Sequence, residues 1–132
     1  MSISTIRATL ESALNGMNPA LATAWQNVPF TPVTGIAYQR ATLLLAEPDN
    51  QEMGASFQEQ GFLQVDLFYP QSVGSSAVEA RAELLRTTFK RGTSLNNGIL
   101  ISATPEIKPA YNDGDRYVLP IRIRFHTYIS QQ

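Results

Sequence analysis

The chain has no cysteine, which removes disulfide frameworks, thiolate nucleophiles and Cys-ligated zinc or iron–sulfur centres in one step. That composition fits a reducing cytoplasm. Histidine occurs once, as His126. Charge is sparse as well: Asp, Glu, Lys and Arg make up 16% of the residues, ten basic against eleven acidic, for a net charge of -1. No global field is available to gather nucleic acid or an anionic membrane, so any such contact has to be local. No run approaches the roughly 18 apolar residues of a membrane span, and the N-terminus lacks the basic-then-apolar pattern of a leader. The expectation is a soluble protein made in the cytoplasm. Phosphate-binding loops, dinucleotide fingerprints, Gly-x-Ser-x-Gly elbows and His-Glu-x-x-His helices are all missing. The sequence offers no catalytic residue, cofactor or metal site, and the expectation is a protein that is not an enzyme.

What is present fits one domain spanning residues 1–132. Ile3, Ile6, Leu10, Ala13, Leu14 and Met17 recur at spacings of three and four and predict an amphipathic first helix, with Gly16 as a left-handed terminator. Residues 19–32 contain too much proline for a regular element and too much apolar surface for a free linker. Residues 36–47 read as a strand, favoured over a helix by Tyr38 and Thr42. In the next strand Leu63, Val65, Leu67 and Tyr69 alternate with Gln64, Asp66 and Phe68, predicting a hairpin whose tip is a long polar loop over 49–61. Ser76 and Glu79 stand in capping-box spacing before a second helix with a Val78, Ala82, Leu85, Phe89 stripe. Residues 99–104 predict a third strand. Residues 116–129 predict a fourth, with Tyr117, Leu119, Ile121, Ile123, Phe125, Thr127 and Ile129 on one face. The expected fold is α+β: a mostly antiparallel sheet of four or slightly more strands, two helices on one face, order α-β-β-α-β-β. Pro120 lacks a ladder donor, which predicts that the last strand is an edge or is bulged.

Few residues invite a functional reading. His126 lacks a second ligand or a partner carboxylate at fixed spacing, so it completes no chemistry by itself. Asp113-Gly114-Asp115 resembles part of a cation loop without the further ligands and reads first as a turn. Arg116, Arg122 and Arg124, with His126 and Tyr128, form a basic stripe on one strand face, suited to phosphates or an acidic partner, but with Tyr128 as its one interleaved aromatic it offers little for specific nucleic-acid binding. Glu52, Met53, Phe57 and Glu59 place two large apolar side chains in the polar 49–61 segment, where they are candidate interface anchors. Trp25 and Phe30 read as core plugs or surface anchors.

The run Trp25-Gln26-Asn27-Val28-Pro29-Phe30-Thr31-Pro32, followed by Gly35-Ile36-Ala37-Tyr38, resembles the small tail terminator-like proteins of tailed phages and prophages, a group related to minor tail protein U of lambdoid phages. The resemblance extends over the 61–69 strand, the 76–90 helix and the closing strand. It implies helices packed on a mostly antiparallel sheet and assembly into a ring, by analogy a hexamer, that covers the last ring of the major tail tube protein. The ring stops tube polymerisation and offers its other face to the head–tail connector protein. The implied location is the host cytoplasm during assembly and then the virion tail, with no catalytic residue. Two alternatives stand beside it: a head–tail joining or tail-completion protein, and a small ligand-binding or enzymatic domain using Arg122, Arg124 and His126.

Overall fold

Two fifteen-residue strands set the frame. The computed structural model describes residues 3–47, 56–72 and 74–130. In it, β3 (Ser56–Pro70) and β7 (Arg116–Ser130) run antiparallel along their whole length, from Ser56 opposite Ser130 to Pro70 opposite Arg116. Both sequences alternate with period two, so each strand turns most of its apolar residues to one face. β2 (Tyr38–Leu45) pairs antiparallel with β3, from Tyr38 opposite Phe68 to Leu45 opposite Gly61. The short β1 (Ala22–Ala24) joins β2 in parallel. On the far side β7 is flanked in turn by β4 (Leu100–Ile101), β5 (Glu106–Ile107) and β6 (Tyr111–Asp113). The result is a mixed, open sheet of seven strands in which β1-β2-β3-β7-β4 is the main path.

One face carries the helices. α1 (Ile3–Asn15) buries Ile6, Leu10 and Leu14, and α2 (Ser76–Thr88) buries Val78, Ala82 and Leu85, with Phe89 at its end. They close over Leu63, Val65 and Leu67 of β3 and Ile121, Ile123 and Phe125 of β7. Burying each such Leu, Ile, Val or Phe side chain fully contributes about 1.5–3 kcal/mol of gross stabilisation. Arg81 of α2 is buried too and donates to the Pro19 carbonyl, tying α2 to the segment after α1. Burial lowers the Arg81 pKa and raises that of Tyr69, while the two groups partly offset this through their mutual attraction.

The α+β class, both helices and the hairpin are as the sequence predicts; several details differ. The sheet has seven strands rather than about four, because β1, β5 and β6 are two or three residues long and leave no periodicity to read. The predicted 99–104 strand shrinks to Leu100–Ile101. β1 also places a regular element inside the proline-rich 19–32 stretch. β7 is interior rather than an edge. Pro120 is tolerated there because its nitrogen faces the gap between β5 and β6, where its carbonyl accepts from the Lys108 amide at 2.9 Å. No side-chain capping bond forms at α2: Ser75 already has helical φ/ψ, and its carbonyl accepts from the Glu79 amide. Gly16 does not take the left-handed conformation, whereas Gly114 does, with φ +60°, and turns the chain between β6 and β7.

The residue least free to change in the sheet is Gly61. A Cβ built there meets the Leu44 carbonyl oxygen and lies 2.9 Å from the Leu45 Cα, backbone that cannot swing aside. Gly61→Ala is expected to cost about 1–3 kcal/mol through overpacking, measured as a lowered denaturation midpoint with an unchanged m-value.

Candidate assembly surfaces

The even-numbered residues of β2, β3 and β7 form the face without helices, and a chain of ring and cation contacts runs across it. Tyr38 stacks on Phe68 at 4.6 Å between centroids, and Phe30 leans on Tyr38 at 5.1 Å. The Arg40 guanidinium sits 5.1 Å from the Phe68 ring centroid and pairs with Asp66 at 2.9 Å. Further along, Arg122 and Arg124 both lie over Phe62, at 4.5 and 5.8 Å. Each such contact is worth about 0.5–1 kcal/mol at an exposed site. They hold the guanidinium groups over the rings of the sheet.

One end of this face is covered by the chain between β1 and β2. Arg116, its side chain only 7% exposed, donates from Nη2 to the Val33 carbonyl at 2.6 Å and from Nη1 to the Ile36 carbonyl, while its guanidinium lies 5.1 Å from the Tyr38 ring centroid. A planar fork with fixed donors suits two adjacent carbonyls, which a lysine could not hold together. Asn27 and Gly35 take positive φ, and the Ile36 amide donates back to Val33 at 3.1 Å. The loop is thus pinned from the sheet and turned outward. It presents Val28, Val33 and Ile36 to solvent, Val33 being 63% exposed. At its root Gln26 accepts from Arg7 of α1 at 2.7 Å and from the Leu43 amide at 3.1 Å, satisfying an edge donor of β2.

The predicted site residues divide. Arg122, Arg124 and His126 do share the open face, with His126 opposite Gln60 in register. Phe57 and Glu59 are not in a polar loop: β3 begins at Ser56, so both belong to a strand and point to the helix side, Phe57 half-buried against the core and Glu59 buried. The polar composition of 56–61 hid a strand that the facing residues of β7 hold in place. Glu52 and Met53 lie outside the described residues, as does most of the predicted polar tip. Trp25 packs against the core, and Phe30 sits on the open face. Among the described residues no group of three His, Asp or Glu could hold a metal ion. Sequence reading missed the 27–36 loop as a surface. The available signal was charge: residues 12–39 contain no Lys, Arg, Asp or Glu, which is unusual for chain that ends up exposed.

These features define an α+β protein whose sheet is covered by its own helices on one side only. The sequence profile of the phage tail terminator protein family matches residues 5–125, and the chain belongs to that family. Membership makes it a structural component of the phage tail that contacts other tail or head proteins. A solved structure of 25% identity aligns over 100% of this chain and 99% of its own, with a TM-score of 0.77, so this fold has been seen before at full length. The search of curated proteins gives no match. No helix among the described residues is long and apolar enough to cross a membrane.

Two outcomes test the site's construction. Arg116→Ala is expected to destabilise the protein by about 1.5–3 kcal/mol, the range for hydrogen bonds to a charged group, and to speed hydrogen exchange at the Ile36 amide. Burial holds the Glu59 carboxyl above its usual value of 4.5. A pKa raised on folding gives stability that is fully present below the unfolded value and is lost as pH rises through the folded one. Glu59→Gln should therefore raise the melting temperature at neutral pH and bring no such gain below the unfolded pKa.

Proposed function

We propose that the chain is a tail terminator that assembles into a closed ring, by analogy a hexamer, covers the last ring of the major tail tube protein, stops tube polymerisation and offers its other face to the head–tail connector. The supporting observation, beyond family membership, is the sheet face left bare by its own helices: a row of arginines on aromatic rings beside a pinned, uncharged apolar loop. A monomer has no use for exposing such a loop, whereas a ring subunit needs two different surfaces for its two neighbours. Arg122, Arg124 and His126 belong to this contact face, and Glu52, Met53, Phe57 and Glu59 are a second candidate contact region. The protein acts during assembly in the host cytoplasm as one domain over residues 1–132 and uses no cofactor.

The enzymatic alternative on the Arg122, Arg124 and His126 face calls for a carboxyl of raised pKa beside those residues. Among the described residues the carboxyl so raised is Glu59, which points to the other face.

Purified major tail tube protein polymerising in the presence of this chain tests the proposal. Expected are tubes of limited length, each ended by a ring visible in negative stain. Tubes that lengthen as in its absence, with no ring at either end, would refute the terminator reading.

A further inference from the structure

Two surfaces of this chain complement each other but cannot meet within one copy. On the helix side, Val78 and Ala82 of α2, Ile107 of β5 and Leu119 of β7 line a groove of about 440 Å³, with Glu79 and Glu83 also at its wall. Glu83 is shared with Arg86 at 3.4 Å, and Glu79 forms no ion pair among the described residues. On the opposite face, at the same end of the sheet, stands the pinned 27–36 loop. Tyr117 lines the groove and its neighbour Arg116 holds the loop. Consecutive residues of a strand project to opposite faces, so apolar knob and apolar groove lie back to back across one thickness of sheet.

We infer that the groove beside α2 takes the 27–36 loop of a second copy of this chain, in a front-to-back contact repeated from subunit to subunit. The inference rests on the ring reading above and names the surfaces that reading leaves open. Charge favours this occupant. Arg40, half-exposed, stands beside the loop near Phe30, and Arg122 and Arg124 follow on the same face, while the groove is flanked by Glu79 and Glu83. Stacking two copies front to back sets the basic face over the acidic helix, whereas a two-fold dimer would set arginines on arginines or glutamates on glutamates. Docking the loop desolvates no charge of its own, and the Val33 and Ile36 carbonyls are already bonded to Arg116. Because Arg116 and the two positive-φ residues hold the loop in shape beforehand, little ordering remains to be done on binding. A contact between two unlike surfaces closes into a ring when its rotation divides a full turn.

The absence of cysteine permits a clean test. Val33→Cys and Ala80→Cys place single thiols on the loop and on the groove wall, both at exposed positions. Expected under mild oxidation is a disulfide-linked pair when the two single variants are mixed, none from either alone, and a ladder from the double variant that ends at the ring size. Val33→Asp, with unchanged circular dichroism, should abolish association in sedimentation. Rings that form without the mixed cross-link, or with either variant linking to itself, would overturn this contact while sparing the ring reading. A chain that neither sediments as a ring nor cross-links, alone or on tail tubes, would overturn both.

Discussion

The pairing of β3 with β7 is the constraint on which the other elements depend. The β3–β7 ladder pairs odd residues with odd, which puts both apolar rows on the same side, because a slip of one residue would turn Leu63, Val65 and Leu67 away from the helices while Ile121 and Ile123 still faced them. That single choice fixes the helix-bearing face. It also fixes what the other face must hold, since the even-numbered residues of both strands are left there together: Phe62 beside Arg124, Gln64 beside Arg122, Asp66 beside Pro120. The basic and aromatic character of the open face is a consequence of register.

The two sides of this ladder are treated differently. On the β3 side β2 adds eight residues in continuous register, closed tightly enough at Gly61 that no side chain fits. On the β7 side the partner is broken into β4, β5 and β6, and the break between β5 and β6 is where Pro120 sits. A short, interrupted edge offers a poor template for a further strand. Association through sheet extension is thereby disfavoured on that side. The uncovered part of β2 is limited in a similar way, since Gln26 occupies the Leu43 amide.

Much of this was legible in the sequence where a pattern is long. The three-and-four spacing of α1, the α2 stripe and the alternation in β3 and β7 each run for seven residues or more and report one face against another. Strands of two or three residues report nothing, because their existence is decided by what β2 offers β1 and β7 offers β4, β5 and β6. Residues 56–61, Ser-Phe-Gln-Glu-Gln-Gly, read as loop from composition and are strand because Thr127, His126 and Phe125 stand opposite. Pro120 misled in the other direction: the missing donor was read correctly, but whether a neighbour needed that donor depends on a gap far away in sequence. Among the functional residues, the Arg122, Arg124 and His126 row was visible as a period-two stripe. The Arg116 fork was not, since its partners Val33 and Ile36 are carbonyls some eighty residues earlier and carry no side-chain signature.

The Arg116 fork also explains how an exposed apolar loop can be kept without cost to the monomer. A free loop rich in valine and isoleucine would fold back on the sheet to bury itself, or sample many shapes and recruit partners indiscriminately. Here both options are closed, because the guanidinium, buried against Tyr38, takes the two carbonyls that a refolded loop would have to satisfy elsewhere. The loop's apolar side chains therefore remain outside, in one arrangement, where only a complementary cavity gains from meeting them. The same interaction that completes the fold at the end of the sheet thus sets the shape of a surface that the fold itself does not use.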